Sequence, residues 1–292
     1  MAEFNPLLAG KSQTNPLQKY FRQPKVYITL PSKGRFYHPG ALEMTDTGEF
    51  PVYAMTAKDE LVLKTPDALL NGQATVDVIK SCVPNIKDPW QMPSIDLDAV
   101  LIAIRIATYG ENLDITTKIP NIGEDKAYTV DLRKILNKLV SVEFDDILKV
   151  NNMLIKIRPL TYKEFTKSNL KTFEEQRVFR LVTDDKIPEE EKLAKFNESF
   201  RKLTDLTVDM MGRSVYSITV DETEVSDTAH IQEFIQNSDK SFFESVLEHL
   251  ESQRTKFQIE PLKVQPTDDE VERGAPETFE VPITFDQSNF FA

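Results

Sequence analysis

The residues between Lys118 and Glu124 have the outline of a metal-binding turn but lack its ligands. In "KIPNIGE", Ile119 and Ile122 flank Pro120 and Asn121, and Gly123 follows. Branched apolar residues are unusual in a tight turn, where Gly, Asn, Asp and Pro suit the geometry better. With cysteine at both isoleucines, the stretch would read C-P-x-C-G, half of a thiolate zinc site. Zinc needs deprotonated sulfur or imidazole, and two isoleucines supply neither. The chain has a single cysteine, Cys82, so a four-thiolate site within one monomer is excluded. The expectation is therefore no metal and no cofactor.

Other chemistry-bearing residues are scattered. The three histidines, His38, His230 and His249, fall in separate segments. Cys82 has no histidine or base beside it in sequence to draw its pKa down, and reads as a small buried residue on a helix. Paired carboxylates could serve acid–base chemistry. Asp59-Glu60, Asp145-Asp146, Asp184-Asp185 and Glu189 to Glu191 all occur at helix starts or turns, where dipole and solvation account for them. No nucleophile elbow, phosphate loop or paired-histidine zinc motif is present, and nine glycines in 292 residues weigh further against glycine-rich loops. The chain reads as non-enzymatic.

The elements that must position these residues follow from periodicity. Val26, Ile28 and Leu30 alternate with Tyr27 and Thr29, as in a strand, and "PSKG" makes the next turn. Thr56 with Asp59 and Thr161 with Glu164 have capping-box spacing. "TPDALLNG" is a short helical turn from Thr65 and Pro66 to Gly72, and a further helix spans about Gln73 to Val83. Ser94 is expected to cap a helix from Ile95 to Tyr109, apolar on nearly every face and therefore buried, with Asp96 and Asp98 in its first turn. Arg105 within it reads as a paired or snorkelling guanidinium. The Ile119 turn joins two strands, Asp131 caps a short helix to Leu139, and Asn151-Asn152 turns a strand pair. Leu193, Phe196, Phe200, Leu203 and Met210 recur at helical spacing, which predicts a helical hairpin packed on itself. A strand at Val215 to Val220 and two helices, near His230 to Gln236 and Ser241 to Ser252, complete the reading.

Charge is unevenly spread. The net charge is −12, yet residues 1–40 hold six Lys or Arg against Glu3 alone, while residues 266–292 hold seven acids against Arg273. An acidic surface argues against sequence-independent nucleic-acid binding. The most apolar run, Val100 to Ala107, is broken by Arg105 and is short of a membrane span. With no leader-like start and one cysteine, the chain reads as soluble and intracellular.

Three stretches carry a family signature: "YITLPSKGRFY", "VYAMTAKDELVLKTPDALLNGQATVDVIKSCVPNI" and "PSIDLDAVLIAIRIATYGE". They resemble the baseplate hub assembly proteins of T-even-type, contractile-tailed bacteriophages. The likeness is close from Tyr27 to about Arg133, returns in "VPITFDQSNFFA", and is general in the helical middle. It implies a C-P-x-C-G knuckle near this hairpin and a second cysteine pair before the last strand. Here Ile119 and Ile122 stand at the first pair and Gly274 to Val281 has no cysteine, so apolar packing is expected in place of metal.

The fold class expected is α+β: an N-terminal β-rich region with a buried central helix and a β-hairpin, then a mainly helical region and an extended C-terminal tail. The expected organisation is an extended arm at 1–24, an α+β domain at 25–159, a helical region at 160–256 and an acidic tail at 257–292. The resemblance implies an assembly factor or chaperone for the baseplate hub, acting in the host cell cytoplasm. A permanent virion subunit is the alternative, and a hydrolase with an unrecognised carboxylate site the remote one. Partners are hub or other tail proteins, with no nucleic acid or membrane and with homo-oligomerisation left open. Phe285, Phe290 and Phe291 are the partner-binding candidates. Three aromatics at a polar chain end invite docking, either on the chain's own core or in a partner's groove. Alternation of Val281 and Ile283 with Pro282 and Thr284 favours the first.

Overall fold

The first half of the chain is built around one helix, α3 (Ser94–Tyr109), in which eleven of sixteen residues are buried. No polar stripe remains to face water, so other elements must surround it. The structure, a computed structural model, describes residues 17, 20–64, 72–182 and 188–283. The expected turn at Thr65 and Pro66, the Asp184-Asp185 pair and the aromatic residues Phe285, Phe290 and Phe291 lie outside the described residues.

Strands β1 (Pro24–Ile28) and β2 (Phe50–Tyr53) pair antiparallel, with Ile28 opposite Phe50. They pack on α3 together with α1 (Ala57–Leu63), α2 (Gln73–Cys82) and α4 (Leu132–Ser141). Val26, Ile28, Phe50, Val52, Ile79, Ile102, Ile104 and Leu136 belong to this core. The capping boxes form as expected: the Asp59 amide donates to Thr56, and Asp59 accepts from the Thr56 amide. Asp131 accepts from the Arg133 and Lys134 amides at the start of α4. Ser94 is the exception. It is the first helical residue, Pro93 holds the cap position, and the Ser94 amide donates to the Leu160 carbonyl at 2.8 Å.

Between α3 and α4 runs a hairpin, β3 (Asn112–Lys118) and β4 (Asp125–Asp131), with Lys118 opposite Asp125. The second core lies under an antiparallel sheet in the order β5 (Ile147–Val150), β6 (Met153–Ile157), β7 (Val215–Val220), β8 (Thr223–Val225). Strand β8 follows a turn in which Asp221 and Glu222 both take positive φ, 46° and 66°. That turn lacks the Asp-Gly or Asn-Gly signature, which hid the strand from the sequence reading. Helices α7 (Thr228–Asn237) and α8 (Lys240–Lys256) cover this core through Ile231, Ile235, Phe242 and Val246. Beyond Phe257 the chain runs through two short strands, β9 (Leu262–Val264) and β10 (Phe279–Val281), paired with each other and linked through the short helix α9 (Asp268–Glu272). Among the described residues the fold is mixed α+β, strand-rich at the N-terminus and helical in the middle.

Candidate partner-binding surface

Strands β6 and β7 are neighbours, with Ile157 opposite Val215. A tight turn could join them. Instead residues 158–214 leave the sheet as two long antiparallel helices, α5 (Tyr162–Val182) and α6 (Glu189–Ser214). At 26 residues, α6 is about 39 Å long.

The base of this arm is firmly seated. Tyr162 stacks on Trp90 with ring centroids 5.4 Å apart. The Thr161 amide donates to Glu164 at 2.8 Å, and Arg158 donates to both oxygens of Glu164 at 3.0 Å. Burial alone would raise the Glu164 pKa, but Arg158 and Thr161 outweigh it and hold the carboxyl below its usual value. Leu206 and Met211 are buried near the far end of α6. Gly212 lies so close to α7 that an added Cβ would fall 1.8 Å from Gln232 Oε1.

The outer part is different. Among the described residues, Ser168, Ser199 and Leu206 are buried, Phe165 and Leu203 are half-buried, and Lys202 Nζ lies 3.5 Å from Glu175. Other large apolar side chains are exposed. Phe173 is 58% exposed, Leu193 62% and Phe200 61%, and Leu170 and Phe196 are exposed as well. The helical hairpin expected from spacing forms, with α5 and α6 packed on each other; of its stripe, Leu203 and Met210 are half-buried and Leu193, Phe196 and Phe200 exposed. Each residue advances about 100° around a helix. Counted from Ser168 and Ser199, this turns Phe173, Leu193 and Phe200 each about 100–140° away from the seam.

The Ile119 turn occupies a second joint. Ile119 is buried and Ile122 half-buried. The Gly123 amide donates to the Ile119 carbonyl at 2.8 Å, and Asn121 and Gly123 both take positive φ, 66° and 77°. The C-terminal segment grips this tip. Asn121 donates to the Gly274 carbonyl at 3.1 Å, Lys126 meets Glu270 at 2.6 Å, Arg273 pairs with Glu124, and Tyr128 meets Phe279 edge-on. The sequence had no signal that the segments around Ile119 and Gly274 meet.

Potential reactive groups are used structurally. Cys82 is fully buried, and burial, reinforced by Asp59, pushes its thiol up to about 12. Asp59 and Ser81 share the guanidinium of Arg22, which ties the incoming chain to this core. Among the described residues Arg105 makes no ion pair within 4 Å, although Tyr109 and Asp114 act on it electrostatically. It is buried, its Nε and Nη1 lack hydrogen-bond partners, and it lies 4.6 Å over the Tyr109 ring. Burial lowers its pKa. Asp96, read as a helix-dipole residue, is completely buried and accepts from the Ser32 amide at 2.7 Å, Ser32 Oγ at 2.6 Å and Tyr37 Oη at 2.9 Å. It locks the "PSKG" turn onto α3. Burial lifts its pKa to about 6 against the pull of these donors.

The histidines stay apart. His38 borders a cleft with Tyr37, Arg158 and Tyr216, His230 lies near Asp227, and His249 contacts the Asp145 carbonyl. A wider cleft between α6, α7 and α8 holds Asp205, Asp209 and Asp239, but Asp209 pairs with Arg213 and Asp239 caps α8. Among the described residues, no three His, Cys, Asp or Glu side chains gather as a metal site, and no helix is long and apolar enough to cross a membrane.

No curated protein and no solved structure matches the chain. The family model described as "T4 bacteriophage base plate protein" matches residues 24–272, from β1 through α9. That span includes both cores, the arm and most of the Ile119 joint, and the chain belongs to this family of bacteriophage baseplate proteins.

Proposed function

We propose that the chain is a non-enzymatic tail assembly protein that helps to build the central hub of the baseplate in the host cytoplasm. The arm carries this reading. It is an excursion between two adjacent strands, and it holds Phe173, Leu193 and Phe200 in water. Large apolar side chains clustered on a surface mark an interaction site rather than a fold requirement. Family membership supplies the class of partner, other baseplate or tail proteins.

The test is phage carrying Phe173→Ser with Phe200→Ser. Baseplate completion should fall while the protein itself accumulates normally in infected cells. Mass spectrometry should find the wild-type protein in lysate and not in purified virions. Stoichiometric recovery from virions would make it a permanent baseplate subunit instead. Phe285, Phe290 and Phe291 are a second candidate contact, and deleting residues 285–292 tests them: loss of hub assembly with an unchanged melting temperature supports a partner role. Ile119 and Ile122 are read as apolar stand-ins for metal ligands, a reading supported by the burial of Ile119. One zinc per chain by elemental analysis would overturn it.

A further inference from the structure

The segment from Ile259 to Ile283 is fastened to the rest of the molecule by side chains. Its two strands, β9 and β10, pair with each other, with Phe279 opposite Val264 and Val281 opposite Leu262. The Arg273 amide donates to the Asp269 carbonyl and the Ala275 amide to the Glu270 carbonyl, again within the segment. Among the described residues, no main-chain hydrogen bond crosses from it to the rest of the chain. Its burial is thin as well. Only Val264, Ala275 and Val281 are buried, α9 buries no residue, and Ile259, Leu262 and Ile283 pack half-buried against the first core.

Ion pairs make the crossing. Lys138 on α4 meets Glu260 at 2.6 Å, Lys126 meets Glu270 at 2.6 Å, and Glu124 pairs with Arg273. Asn121 donates to the Gly274 carbonyl, and Tyr128 meets the Phe279 ring. Residues 259–283 hold seven acids against Lys263 and Arg273, a net charge of −5 out of the chain's −12. General repulsion therefore opposes closure, and ion pairs at partly exposed positions are individually weak. A segment with few buried apolar contacts and no main-chain tie to a core opens at lower cost than the core does. We propose that residues 259–283 form a clasp that leaves the hairpin tip as one unit while both cores stay folded, with the Lys126–Glu270 and Glu124–Arg273 pairs setting how often it opens. Opening carries the chain end beyond Ile283 away from the first core. Resting on the reading of Phe285, Phe290 and Phe291 as a partner contact, the clasp regulates when that contact is offered.

Thiol labelling of the full chain tests this. Cys82 is fully buried in the first core and marks the opening of that core. Val281→Cys places a second thiol in the clasp, in a smaller side chain than the buried valine it replaces. Mass spectrometry after a pulse of maleimide reads both positions in the same molecules. Position 281 should label at least about tenfold faster than Cys82. Glu124→Arg should speed labelling at position 281 several-fold and leave Cys82 unchanged, and adding Arg273→Glu should restore the slower rate. Hydrogen exchange of the wild-type chain gives a check free of substitutions: the β9 and β10 amides should exchange well ahead of those in α3. Labelling of position 281 only in step with Cys82 would overturn the proposal, as would β9 and β10 amides protected as strongly as those of α3. Equal labelling at position 281 with and without Glu124→Arg would remove the ion pairs from it. No partner takes part in these measurements, so a failed clasp leaves the partner reading standing. Normal assembly by phage lacking residues 285–292 sinks that reading and leaves the clasp supported by its labelling.

Discussion

Helix α3 and the arm helix α6 both carry apolar residues at helical spacing, and their surroundings are opposite. In α3, Ile102 and Ile104 have no exposure, and strands, helices and the Asp96 lock close around them. In α6, Leu193 and Phe200 remain in water while Ser199 takes the buried seam. The first pattern is held by the chain itself. The second is left in water. On the function proposed above, stability and recognition fall to different helices, and substitutions should separate them.

The largest effect is expected at Ile102→Ala. Truncating a fully enclosed isoleucine removes contacts and leaves a cavity, at a cost of about 2–5 kcal/mol by urea unfolding. If Ile102→Ala cost no more than a surface substitution, the assignment of α3 to the core would fall.

The next concerns Asp96 and pH. Its folded pKa is about 6 against an ordinary 3.8. Between those values the folded chain holds a proton that the unfolded chain has released, so stability from this site is lost as pH rises through the window. Asp98, also lifted to about 6 by burial, acts in the same direction. Asparagine does not titrate. From pH 4 to pH 7 the stability of Asp96→Asn relative to wild type should rise by about 2–3 kcal/mol. Melts at the two pH values check this, and a constant difference would show that Asp96 keeps an ordinary pKa in the folded chain.

Smaller effects follow at the hairpin tip. Ile119→Ala should cost about 2 kcal/mol, the low end for a buried isoleucine at a site that can relax. Ile122→Ala should cost less, because that side chain is only half-buried. Equal losses would mean that both isoleucines pack alike. The smallest change is expected on the arm: Phe200→Ala should alter stability by under about 0.5 kcal/mol. A loss comparable to Ile102→Ala would erase the contrast and make the arm part of the core.

Local chemistry made much of this fold legible. Thr56 with Asp59, Thr161 with Glu164, and Asp131 each satisfy amides within a few residues, so spacing alone reveals them. The buried nature of α3 was legible too, since it has no polar face. What stayed hidden is long-range. Asp96 reads as a first-turn carboxylate until Ser32, 64 positions earlier, is seen to donate to it. The pairing of Asn121 with Gly274 spans 153 positions. Spacing put Leu193, Phe196 and Phe200 on one helix face, but periodicity reports which residues share a face, never what covers it.

The entry and exit of the arm have one further consequence. Ile157 and Val215 are paired across β6 and β7, so the arm begins and ends at the same place on the sheet. Whole helical turns could be added to or removed from both helices without shifting the register of any strand. Reach is thus uncoupled from scaffold, and related chains are free to diverge in arm length and tip sequence while keeping the same sheet, the pattern expected if each must find a different neighbour within a similar particle.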